Sequence, residues 1–440
     1  MTFKRCLHAF LLTVLFAACL IPRPLAAQPA APAQLPAVAA STSQQAYSLP
    51  PDKLAKAIAL SRIRNMLAIV SDLWGIVLLW LLLATRTAAR IEAWAPRLTA
   101  RRWLQGLLFF TVYFIILTAA SLPLTLYGHY IEHSYQISVE SWARLFGNIG
   151  IELALTIAVG SPLFLLFNWI ARRWPRRYWL GAWIATLPIL AAAVFVAPYV
   201  ALLFDKFEPL SEHHAALVVQ LERVVARTGT DIPPSRMYLM KAGAKTNGLN
   251  AYVTGIGATK RIVVWDTTAG RIPDGEILFI FAHETGHYVL HHLPKGIALS
   301  AVGLFFVYWA CSALATWLVG RYGSRWGTSD LASRTGFVVL LFTISIAGFL
   351  LEPISNGISR HFEHQADIYG QEAIHGIVPD PQKTTVAAFN DIGKAWLEDP
   401  DPNPLIEFWL YGHPSTEHRA EFAEHYNPWA NGGHGRYFAK

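Results

Sequence analysis

Six apolar stretches, each long enough to cross a hydrocarbon core of ~30 Å as a helix, constrain this chain more than any other feature. They run approximately over 66–85, 103–127, 147–170, 179–204, 297–319 and 335–354. Backbone polar groups in lipid must be satisfied internally, so such stretches predict a polytopic helical bundle. Pro123, Pro162, Pro188 and Pro198 lie inside them and predict kinks that neighbouring helices accommodate. Asp72, Glu152 and Asn168, within the spans or at their ends, are expected to face the bundle interior or the headgroups. With 54% hydrophobic and 15% charged residues, the composition is that of a membrane protein. A net charge of +7 raises nucleic acid as a partner. The arginines, however, sit in short clusters between apolar stretches, with no extended basic face, so the partner is the lipid bilayer and not nucleic acid. All three cysteines, Cys6, Cys19 and Cys311, fall in apolar segments, which excludes a disulfide framework and a cysteine-based zinc site.

Lys4 and Arg5 followed by an apolar run and Leu25-Ala26-Ala27 read as a secretory signal or N-terminal anchor over 1–27. A lipid-modified Cys19 is the competing reading of the same segment. Residues 28–58, rich in Ala, Pro, Gln and Ser at their start, predict a disordered linker. A membrane domain of four spans then occupies 59–204, and 205–440 forms a second domain interrupted by the last two spans. Its polar insert predicts a helix over 211–227 and strands over 237–241, 249–254 and 261–266. Asn247-Gly248 reads as a turn between the first two strands, and Asp274 as the cap of the next helix.

That helix carries His283-Glu284-Thr285-Gly286-His287. Residues four apart share a helical face, so His283 and His287 can hold one Zn²⁺ per chain while Glu284 serves as general base. Leu290 and Leu293 stand where a longer histidine motif would place its glycine and third histidine, so a third ligand must come from further along. His291 and His292 are out of register and are expected at the solvent or membrane interface. The best supplier is 356–367, where Glu363 and Asp367 share a face; Glu352, His361 and His364 compete on chemistry alone.

These residues resemble the M48 metalloproteases, in the integral-membrane CAAX prenyl protease 1 (Ste24-like) branch. The resemblance runs from about Pro51 to Tyr426. It rests on Asn250-Ala251-Tyr252 with Gly255, Lys260 to Val264 with Asp266-Thr267, and the His283 to His287 motif. Ser359-Arg360 through Glu363, Ala366-Asp367, and His413-Pro414 with Arg419 complete it. It implies a mainly α fold, a transmembrane bundle with an inserted zincin-like α+β metalloprotease domain. It implies Glu363 as third zinc ligand, with Asp367, Arg360 and Arg419 supporting the ligands from behind. His413 becomes a candidate to stabilise the developing oxyanion, and the strand with Asn250, Ala251 and Tyr252 a candidate to pair with an extended peptide or protein substrate. Two features depart from the family pattern: the signal-like N-terminus and one span fewer than the usual seven. A rival from another class is a zinc-binding membrane chaperone or assembly factor with a vestigial site; a transporter is a third, but inverted half-repeats are lacking.

Arginines crowd three short loops: Arg86 to Arg102, Arg172 to Arg177, and Arg321 to Arg334. The positive-inside rule puts all three in the cytoplasm, and six spans then put the insert and tail on the other face. Lys53, Lys56, Arg62 and Arg64 weigh the other way. The resulting expectation is a bacterial inner-membrane protein with a periplasmic active site.

Overall fold

The computed structural model describes residues 46–439. The signal-like segment and the linker as far as residue 45 lie outside them. Helix α1 (Pro51–Ala84) is followed by the short α2 (Thr87–Leu98), then α3 (Arg102–Ser134), α4 (Trp142–Arg173) and α5 (Tyr178–Val200). The insert contributes β1 (Phe207–Pro209), α6 (Ala215–Thr228), β2 (Met237–Met240), β3 (Ala251–Thr254), β4 (Arg261–Trp265), α7 (Asp266–Ala269) and α8 (Asp274–Val289). Two long helices, α9 (His292–Trp326) and α10 (Arg334–Ala373), precede the tail helices α11 (Pro381–Trp396), α12 (Pro404–Leu410) and α13 (Thr416–His425). Six of these helices, α1, α3, α4, α5, α9 and α10, are long and apolar enough to cross a membrane. The chain is thus a mainly helical, multi-pass membrane protein with one small sheet.

Two cores hold it together. Phe109, Phe110, Phe114, Phe164 and Phe337 pack at the centre of the bundle. The second core joins the sheet, α8 and α11, and it takes in Leu60 of α1 and Ile131 of α3. Membrane helices therefore run on into the core around the sheet. The 40 residues of α10 span about 60 Å, so one helix crosses the bilayer and then carries Glu363 and Asp367.

Residues 46–58, expected as disordered linker, are ordered. Tyr47 is fully buried, its amide donates to Glu417 Oε2 at 2.5 Å, and its hydroxyl donates to the Glu398 carbonyl at 3.0 Å. From Pro51 onward, Ala57 and Leu60 continue the buried face of α1. The Ala- and Pro-rich average of the segment hid this helical period.

The sheet order is β1-β2-β4-β3, with β2 parallel to β4 and both outer strands antiparallel to their neighbours. Asn247-Gly248 is therefore not a hairpin turn, because β4 lies between β2 and β3. It docks instead on the loop after α3, where the Asn247 amide donates to the Ile137 carbonyl at 2.9 Å. Asp274 is the first residue of α8 and not its cap; Pro273 precedes it, and Asp274 Oδ2 accepts from Gln220 Nε2 at 3.0 Å.

Candidate metal centre and active site

Helix α8 presents His283 and His287 from successive turns toward α10, and two glycines let the helices meet. A Cβ on Gly370 would lie 2.9 Å from the His283 amide nitrogen, and one on Gly286 would lie 3.0 Å from Tyr369 Cδ1. At that crossing His283 Nε2 lies 3.2 Å from His287 Nε2 and 3.3 Å from Glu363 Oε2. His287 Nε2 lies 3.5 Å from the other carboxylate oxygen, Glu363 Oε1, so the three residues form a triangle in which one ligand atom from each lies within 4.8 Å of the other two. A tetrahedral zinc with bonds of about 2.0–2.1 Å spaces its ligand atoms by about 3.3 Å, so the triangle fits that ion. Two imidazoles and a carboxylate are also the donor chemistry zinc accepts in catalytic sites. Glu363 Oε2 is buried and makes no well-aligned hydrogen bond among the described residues, with only His283 Nε2 at 3.3 Å and Arg419 Nη2 at 3.6 Å facing it, which leaves a lone pair for a cation.

Behind the triangle, His283 Nδ1 lies 2.8 Å from Asp367 Oδ1. A proton on Nδ1 would pair with Asp367 at that distance, the tautomer that leaves the Nε2 lone pair facing His287 and Glu363. Asp367 is itself gripped at both oxygens by Arg419, at 2.9 Å from Nε and 2.6 Å from Nη2. Burial works against charge on His283, but the hydrogen bonds and charges of Asp367 and Glu363 outweigh it and lift its pKa to about 10. At His287 burial dominates and lowers the pKa to about 3. The carboxylates thus favour a second proton on His283, which a bound metal would displace, while burial keeps His287 neutral.

Glu284 is 8% exposed and its Oε2 has no hydrogen-bond partner among the described residues. Burial foremost, with Glu363 adding, raises its pKa to about 7 against the pull of His283 and the Val253 backbone N–H. Val253 belongs to β3, the terminal strand of the sheet, which flanks α8. Ala251 and Tyr252 lie on that strand, and buried Asn250 just before it is fixed by its amide donating to Thr268 Oγ1 at 2.7 Å.

His413 Nε2 stands 3.2 Å from Glu363 Oε1 and is 30% exposed, at the open side of the cluster. Arg360, expected beside the ligands, instead works on the chain leading to His413. Its Nη1 donates to the carbonyls of Glu407 at 3.1 Å and Tyr411 at 2.5 Å, because its side chain leaves α10 on the face toward α12. Among the competing residues, His361 and His364 are exposed on α10, outside the triangle.

His292 overturns its expectation. It is 3% exposed, stacks on Phe362 with ring centres 4.4 Å apart, and sets its Nδ1 3.0 Å from His287 Nδ1. His291 remains exposed, at φ 57°, and this left-handed residue swings the chain so that His292 returns beneath α8. Helical spacing from His287 could not reveal that, since the helix ends between them.

The profile described as Peptidase family M48 matches residues 212–427, and the CAAX prenyl protease N-terminal profile, of five membrane helices, matches 34–206. An uncharacterized metalloprotease of Bacillus subtilis is 32% identical over 401 residues, covering 88% of this chain and 89% of its own. CAAX prenyl protease 1 of Saccharomyces cerevisiae is 25% identical, over 72% of this chain and 71% of its own. The crystal structure of Ste24p from S. mikatae superposes with a TM-score of 0.73 at 20% identity, covering 94% of this chain and 96% of that one. That last match speaks to the fold, and together with the sequence matches it places the chain in peptidase family M48, as a membrane metalloprotease of the Ste24-like branch.

Proposed function

We propose that the chain is a zinc-dependent endopeptidase that hydrolyses peptide bonds in peptide or protein substrates at a membrane, with one zinc held by His283, His287 and Glu363. The observation that carries this is the cluster in which His283 Nε2 and His287 Nε2 lie 3.2 Å apart and meet opposite oxygens of Glu363 at 3.3 and 3.5 Å, separations that suit a tetrahedral ion. Zinc in such a site supplies Lewis-acid polarisation of a carbonyl and acidifies water. Glu284, buried beside the ligands, takes a proton from the attacking water and delivers it to the leaving amine. His413, at the open side, donates to the oxygen that gains charge. An extended substrate adds to the outer edge of β3 at Asn250, Ala251 and Tyr252, which sets its scissile bond beside Glu284. We place the protein in a bacterial inner membrane, delivered by the signal-like 1–27, with the active site in the periplasm.

The test is a purified wild type and Glu284→Gln pair, assayed for zinc content and for cleavage of a peptide library with and without a farnesyl group. Glu284→Gln should retain zinc and lose hydrolysis by several orders of magnitude. His283→Ala, His287→Ala and Glu363→Ala should lose zinc as well. A zinc-replete, normally active Glu363→Ala protein overturns the ligand set.

A further inference from the structure

The two ligand histidines are held by different chemistry. On His283 the outward nitrogen meets the carboxylate of Asp367. On His287 it meets a neutral imidazole, His292, at 3.0 Å. His287 can offer Nε2 to a cation only when its proton sits on Nδ1, and that proton then needs an acceptor. His292 Nδ1 is the atom in place to accept it. With Nδ1 accepting, His292 carries its own proton on Nε2, which faces Gln365 Oε1 at 2.9 Å. The Gln365 amide is turned so that its Nε2 donates to His361 Nε2 at 3.0 Å. Each link from His287 to the exposed His361 therefore has one donor and one acceptor, all in the sense that leaves a lone pair on His287 Nε2. The stack of His292 on Phe362, nearly parallel at 7°, holds the ring in the plane this chain requires.

We propose that His292, anchored by Gln365, is the positioning residue that fixes the tautomer and orientation of His287. This rests on the zinc reading above. Asp367 adds a negative charge to the cluster and His292 adds none. The pair thus aligns both imidazoles without putting a further anion beside Glu363.

The test compares purified wild type, His292→Phe, His292→Asn and Gln365→Leu for zinc dissociation constant, by chelator competition, and for thermal unfolding of the metal-free protein. Phe keeps a ring on Phe362 and removes the acceptor; Asn restores an acceptor near the place of Nδ1. His292→Phe should weaken zinc binding roughly 10- to 100-fold with unchanged metal-free melting, as loss of an outer partner does. His292→Asn should recover most of that loss, and Gln365→Leu should fall between. Wild-type zinc affinity in His292→Phe overturns the proposal, as does equal loss in the Phe and Asn variants with lowered metal-free melting. A folded wild type that binds no zinc overturns the metal reading itself, which separates the two failures.

Discussion

Asp367 joins the ligand cluster to the buried charges of the protein, since it touches His283 on one side and Arg419 on the other. Asp367→Ala removes the acceptor for the His283 proton, so zinc affinity or turnover should fall roughly 10- to 100-fold, measured by chelator competition and peptide cleavage. His413→Ala should separate differently: single-turnover hydrolysis slows while bound zinc stays at one per chain, because His413 faces the open side of Glu363. Unaltered single-turnover rates in that variant would return His413 to an ordinary surface position. The four-residue spacing of a helical face made His283 and His287, with Glu284 beside them, readable from sequence, and the same logic paired Glu363 with Asp367 on one face of α10. Resemblance, and not spacing, singled out Glu363 over its competitors. His292 was illegible because a positive-φ residue, His291, breaks the helical period just before it.

At the scale of elements, α8 and α10 must approach closely enough for side chains from both to share one small triangle. Gly370 sets that distance, because an added methyl would press on the backbone nitrogen of His283 at 2.9 Å. Main chain cannot rotate aside, so Gly370→Ala should spread the helices and weaken zinc binding while far-ultraviolet circular dichroism stays unchanged; undiminished zinc affinity would show that the crossing has slack. The first turn of α8 holds a second test. Glu276 is 6% exposed, and burial foremost, with Asp391 adding, raises its pKa to about 7. An unfolded chain releases that proton near pH ~4.3, so between the two values the folded state binds more protons and stability falls as pH rises. Glu276→Gln should therefore raise the melting temperature of the detergent-solubilised protein at pH 8, with the gain shrinking as pH falls toward the unfolded value of about 4.3; a variant less stable at pH 8 would contradict the sign. The helices were legible as apolar runs, and three strands as short β-branched or aromatic segments. The partners of the strands were not, since alternation marks a strand without naming its neighbour. β1 was missed altogether: three residues ending in proline give no alternation to read.

Across the whole molecule, the first and third of the arginine-rich loops meet at one end of the bundle. Arg86 Nε donates to the Arg325 carbonyl at 2.8 Å, and Arg334 Nη2 to Gln105 Oε1 at 2.9 Å. The other end of α1 belongs to the peptidase side, where Arg64 makes 2.6 Å bonds from Nε and Nη2 to both oxygens of Glu132 and also reaches the Trp396 carbonyl at 3.3 Å. From Arg64 to the end of α1 at Ala84 is about 30 Å of helix, the thickness of a hydrocarbon core. The basic loops and the candidate zinc site therefore lie on opposite faces of any bilayer this bundle crosses. Arg64 also loses its weight as a topology signal, because a buried arginine neutralised by Glu132 is not a free cation at the membrane surface. What remains on the peptidase side before the first span, Lys53, Lys56 and Arg62, is outnumbered by the arginines of the three loops. By the positive-inside rule we propose that the loops lie in the cytoplasm and the site in the periplasm. Alkaline phosphatase folds only where disulfides form, so its fusion after Lys440 should be active when the chain is expressed in a bacterium. An inactive fusion, together with fluorescence from a cytoplasm-dependent reporter at the same position, would put the zinc site in the cytosol and reverse the assignment.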